Sequence, residues 1–166
     1  MSELSKRAFE LSYNQVRSQK EDLRAIRNQA SFAATLTGLV ATFFSSIALS
    51  ANSTVLIDAN YLFSFKAEAI VVVLFVTLSI VLSAVVVSGR SEVQFDLNAD
   101  YILYAQKHRS KEDDLTTIIE NELTEVLKCN FSTNEAVIKR NSVYLTLAFF
   151  VGLFQIPAWI SLIGSA

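Results

Sequence analysis

Ser31, Thr35, Gly38, Thr42 and Ser45 follow one another at intervals of four, three, four and three inside a run that is otherwise apolar. At about 3.6 residues per turn these intervals put all five on one face of a helix, away from Phe32, Leu36, Leu39 and Phe43. Two kinds of chemistry suit uncharged hydroxyls and a glycine in that setting. They let membrane helices approach closely and hydrogen-bond across the contact, or they line a water-filled path around an oligomer axis, where ions pass without being held tightly. Asn28 and Gln29 stand just ahead of the stripe, beside Arg24 and Arg27. Their amides are expected at the inner mouth of the same helix, bonding between subunits, facing a vestibule or anchoring the interface.

Catalysis has little to work with. The chain holds one histidine and one cysteine, and it contains no glycine-rich phosphate loop, no HExxH and no GxSxG. No acid lies inside the apolar windows, which rules out an intramembrane aspartyl protease. No cofactor or metal is expected, because Cys129 cannot form a metal cluster alone. Lys107, His108, Arg109 and Lys111 gather four basic or potentially basic groups in five residues. They read either as a weak site for a phosphate-bearing ligand or as solvated neighbours of Glu112, Asp113 and Asp114.

The elements that would position these residues are membrane helices. Of the 166 residues 52% are hydrophobic and 18% charged, and the charges are missing from whole windows rather than spread thinly. Residues 28 to 57, 69 to 89 and 141 to 166 contain no Asp, Glu, Lys or Arg. Each exceeds the roughly 20 residues that cross a hydrocarbon core, which places spans at about 30–50, 69–89 and 143–163. Gln155, midway along the third, is costly in lipid and should face protein or water. Pro157 lies near one end, where proline is tolerated. Thr77, Ser79 and Ser83 do not form a continuous polar face, so the second span is expected to face lipid.

Orientation follows from the basic residues. Residues 1–27 hold six lysines and arginines and residues 90–140 hold seven, whereas residues 50–68 hold only Lys66. The N-terminus and the 90–140 insert are therefore expected in the cytoplasm, and the C-terminus outside. Trp159, near the outer end of the third span, fits an interfacial aromatic.

Residues 2–27 carry no glycine or proline, and Phe9, Val16 and Leu23 recur every seven. This predicts an amphipathic helix that needs a partner and runs into the first span. The second span is expected to continue as helix to about His108. Ser110 with Asp113, and again Ser132 with Glu135, resemble capping boxes that would open two further helices. The first of these would carry Leu115, Ile118, Ile119, Leu123, Val126 and Leu127 at three- and four-residue spacing. The predicted fold class is all-α: one membrane domain over 1–166, with three transmembrane helices and a helical cytoplasmic extension, assembled as a homo-oligomeric bundle.

A charged amphipathic helix ending in RNQASFAATLTGLVATFF, followed by a second span and a helical cytoplasmic insert, resembles the small membrane effectors of bacterial anti-phage defence. SLATT-type pore-forming proteins are one such family and the channel effector of the Hailong system is another. The third span, with Gln155 and Pro157, departs from a two-span pattern, and no functional residue carries over. The resemblance implies an oligomeric pore in the bacterial inner membrane, normally shut. Opening would depolarise the membrane and halt growth, on a nucleotide or nucleic-acid signal from a partner enzyme.

The functional expectation is a homo-oligomeric ion channel, taken as a tetramer, gated through its cytoplasmic helices and lined by Ser31, Thr35, Gly38, Thr42 and Ser45. Its partners are then the lipid bilayer, further copies of itself and ions. The alternative is a membrane anchor or adaptor that recruits a soluble protein through Leu115, Ile119, Leu123 and Val126.

Overall fold

The computed structural model describes residues 3–51, 67–88, 93, 95 and 115–164. Helix is the only regular structure among them. Helix α1 runs Glu3–Ala51, α2 Ala67–Ser88 and α3 Leu115–Gly164. Each of the three is long and apolar enough to cross a membrane. The long uninterrupted helices reflect composition, since α1 holds a single glycine, Gly38, and α3 a single proline, Pro157. Proline at that point removes the N–H that would bond Leu153 O, yet α3 continues for two further turns.

Three sequence expectations differ from what is observed. Ser132 does not open a new helix, because α3 passes through it unbroken. Its hydroxyl donates to Cys129 O at 2.9 Å, and Thr133 donates to the same carbonyl at 3.1 Å. A hydroxyl satisfied on the preceding turn no longer competes with the helix as a cap does. The second span, expected to face lipid, is exposed over most of its surface but buries Ser79 and Ser83 at 0% and 1% exposure. The expected helical continuation of α2 stops short at Val93 and Phe95, which are not helical. The rest of it, to His108, and the Ser110 cap lie outside the described residues.

The chain divides into two compact units, one within Met1–Ala25 and Arg90–Arg140 and the other within Ile26–Gly89 and Asn141–Ala166. In the first, α1 buries Ser12, Val16, Gln19 and Leu23, and α3 buries Leu123, Thr124, Leu127, Asn130 and Asn134. The intervals of three and four on α1, and on α3 from Thr124 onward, are those of a coiled-coil seam. Much of this seam is polar. Gln19 Nε2 donates to Phe131 O at 3.1 Å, while its Oε1, also buried, has no partner among the described residues.

In the second unit the seam narrows to small side chains. Ala30 and Ala33 of α1 pack with Val86 of α2 and Leu145 of α3, flanked by Ile26, Tyr144 and Phe149. Toward the other end of the same unit Ala48, Ala69, Val72, Trp159 and Leu162 form a second cluster. Phe44 stacks on Trp159 there, with centroids 6.2 Å apart and planes 12° from parallel. Small residues bring helix axes close, which is how membrane bundles gain contact where burial from water contributes little. On α3 the buried register is strict, since Leu127, Asn134, Asn141, Ala148, Gln155 and Leu162 are all buried at intervals of seven.

Candidate functional site

Helix α1 presents two polar features in the second unit, and they differ in what satisfies them. The first is the stripe. Ser31, Thr35 and Thr42 are exposed, and Gly38 and Ser45 are half-buried. The face that packs within the subunit is the neighbouring one, carrying Ala30, Ala33, Thr37 and Ala48. Thr35 Oγ1 donates to Ser31 O at 3.0 Å and Thr42 Oγ1 to Gly38 O at 2.8 Å, each one turn back on the same helix. Those hydroxyls need nothing from another helix, and their oxygens remain as acceptors. A Cβ built on Gly38 would meet nothing within 4 Å. Phe32, Leu39 and Phe43, on a third face, are also exposed. Asn28 and Gln29 are exposed at the start of the unit, about 100° apart around the helix.

The second feature is a buried polar knot that joins all three helices. Thr37 of α1 and Ser79 of α2 lie with their hydroxyl oxygens 3.0 Å apart, and Ser79 Oγ donates to Ala148 O of α3 at 2.9 Å. A serine hydroxyl has one hydrogen. With that hydrogen committed to Ala148, Thr37 must donate to Ser79, which fixes the direction of the chain of bonds. Gln155 Nε2 of α3 donates back to Thr37 O at 3.3 Å. Gly152 makes the approach possible, because a Cβ there would come within 2.8 Å of Thr37 Oγ1 and 3.0 Å of Ser79 Oγ. Buried Gln155 Oε1 and Ser83 Oγ have no hydrogen-bond partner among the described residues.

From the sequence only Gln155 stood out as an intramembrane amide. Ser79 reads from the sequence only as one of three hydroxyls without a continuous face, and nothing there marks Gly152 or Thr37, although Thr37 falls seven residues after Ala30 and fourteen after Leu23. The Val16–Leu23 register was there to be extended, but at Ala30 it switches from large apolar to small residues, and an apolar periodicity cannot follow it.

The first unit carries the remaining polar ground. Tyr13, Arg17, Lys20, Glu21 and Arg24 of α1 and Phe95 line a cleft of about 240 Å³. Lys20 Nζ stands 6.0 Å from the centre of the Phe95 ring. Arg17 and Glu21 approach only to 3.9 Å with both side chains exposed, a contact of little energetic weight. Lys107, Arg109 and Lys111 lie outside the described residues. Of the residues expected to recruit a soluble partner, Leu123 is buried in the unit's own seam, Ile119 is half-buried and Val126 is exposed. Among the described residues no group of three or more His, Cys, Asp or Glu is placed to hold a metal ion.

Comparison of the chain with protein-family models, curated proteins and solved structures returns no match.

Proposed function

We propose that the chain is the subunit of a homo-oligomeric membrane channel in which the Ser31, Thr35, Gly38, Thr42 and Ser45 face of α1 borders the conducting path. One observation carries the reading: the chain packs on the adjacent small-residue face and leaves Ser31, Thr35 and Thr42 of the hydroxyl face exposed, with Gly38 and Ser45 half-buried. A polar face inside a span finds better surroundings in water or protein than in hydrocarbon. Hydroxyl hydrogens tied to their own helix leave oxygens that offer weak, replaceable contacts to a passing ion, the condition for conduction without trapping. Asn28 and Gln29 stand at the entrance to that path, on the side expected to be cytoplasmic.

The resemblance to anti-phage effectors supplies the physiological half of the proposal. Opening would depolarise a bacterial inner membrane and arrest growth, through movement of the cytoplasmic helices on a nucleotide or nucleic-acid signal. The subunit number taken with it is four.

Purified protein in liposomes is expected to pass ions, and Thr35→Leu and Thr42→Leu are each expected to abolish most of the flux while leaving expression and particle mass in detergent unchanged. Flux that survives both substitutions, or a monomeric particle, rejects the channel.

A further inference from the structure

The second unit contains a crevice of about 300 Å³ whose walls come from all three helices. Ala41 and Ser45 line it from α1, Val73, Val76 and Thr77 from α2, and Trp159 from α3. We propose that it holds one acyl chain of a membrane lipid.

Shape gives the first reason. Ala69, which also lines the crevice, is two residues from the start of α2, and Thr77 lies eight residues further on. At about 1.5 Å per residue the crevice descends roughly 12 Å along α2 from the end of the helix. That nearly matches half of a hydrocarbon core about 30 Å thick. Its long direction is therefore that of a lipid tail entering from the interface. Chemistry gives the second reason. Among the described residues no charged side chain lines it, and the polar lining groups are the hydroxyls of Ser45 and Thr77 and the indole N–H of Trp159. This favours a hydrocarbon chain over a charged headgroup. Access gives the third. Val73 is 62% exposed and Thr77 is exposed, so the lip opens to the outside of the unit, while Trp159, at 4%, forms the floor. The indole stacks against Phe44. The void exists because Ala41, Ser45 and Ala69 are too small to fill the space opposite the indole. A flexible chain present at high local concentration fills such an irregular space more readily than a helix side chain of fixed rotamer.

Ser45 lines this crevice, so a lipid tail held here leaves the conducting path of the proposed channel to Ser31, Thr35, Gly38 and Thr42; the site itself can be tested without conduction. Trp159 is the only tryptophan in the chain, so emission reports on the crevice alone. The full-length protein in vesicles of phosphatidylcholine brominated along its acyl chains is expected to lose most of its tryptophan emission relative to ordinary phosphatidylcholine, despite the burial of the ring. Thr77→Phe at the lip and Ala41→Leu on the facing wall narrow the crevice, and each is expected to restore emission toward the unbrominated level. Equal emission in the two lipids, as when a second copy or the protein itself closes the crevice, overturns the proposal. So does quenching that neither substitution relieves, since lipid would then reach the indole by another route.

Discussion

The stripe and the knot use the same side chains a fraction of a turn apart on one helix. Thr35 and Thr42 donate to carbonyls of their own turn and stay exposed, whereas Thr37 donates across to Ser79 and is 4% exposed. Partners make the difference, since residue type is the same in both. A threonine in a membrane helix can always return its hydrogen to the preceding turn at little cost. It gives up that bond only where a neighbouring helix comes close enough to offer a better one. Gly152 supplies that closeness at Thr37, and Gly38, where a Cβ would meet nothing within 4 Å, supplies nothing comparable to Thr42. Hydroxyl spacing therefore marks a face as polar without deciding whether it packs.

The glycines give the sharpest way to break this comparison. Gly152→Leu drives a side chain into Thr37 and Ser79 and should cost about 1–3 kcal/mol or more through overpacking, read as a lowered thermal midpoint in detergent. Gly38→Leu should leave the midpoint within a few degrees of the wild type while reducing ion flux. Equal destabilisation by both would mean that the stripe packs as the knot does.

Ser79→Ala removes the acceptor for Thr37 and the bond to Ala148 O. Within a membrane such interhelical bonds contribute about 0.6 kcal/mol on average and up to about 1.7, so a fall in stability in that range is expected. Thr42→Ala loses only a bond to its own turn and should change stability by less than about 0.5 kcal/mol. A double-mutant cycle of Thr37→Val with Ser79→Ala should show coupling, and one pairing Thr42→Ala with Ser79→Ala should show none.

A small effect is expected in the other unit. Gln19 makes one bond to Phe131 O and leaves its buried Oε1 unsatisfied among the described residues. Gln19→Leu keeps most of the volume and removes both the bond and the orphaned acceptor, so unfolding should shift by less than about 1 kcal/mol. A loss of several times that amount would show that the polar seam of the first unit is as tightly connected as the knot of the second.

Much of the helical layout can be read in the chain. Charge-free windows mark the three apolar segments, and the recurrence of Val16 and Leu23 marks the buried side of α1. The Ser132 boundary was misread because capping residues look alike whether they cap or bond back, and the backbone around them decides which. Ser79 and Ser83 give no packing face in the sequence because α2 is otherwise apolar on every side, so no contrast in hydropathy distinguishes its buried face.

Sequence alone determined that these segments are helical, that three of them can cross a membrane, and that α1 carries a hydroxyl face, because each depends only on composition and period along one helix. Only the tertiary structure decided that Ala30, Ala33 and Thr37 pack while Ser31, Thr35 and Thr42 do not. It alone brought Thr37, Ser79, Ala148 and Gln155 together. The reason is physical: in an apolar surrounding the choice between two neighbouring small-residue faces is made by the fit of the facing helices, and that fit belongs to residues 42 to 118 positions away.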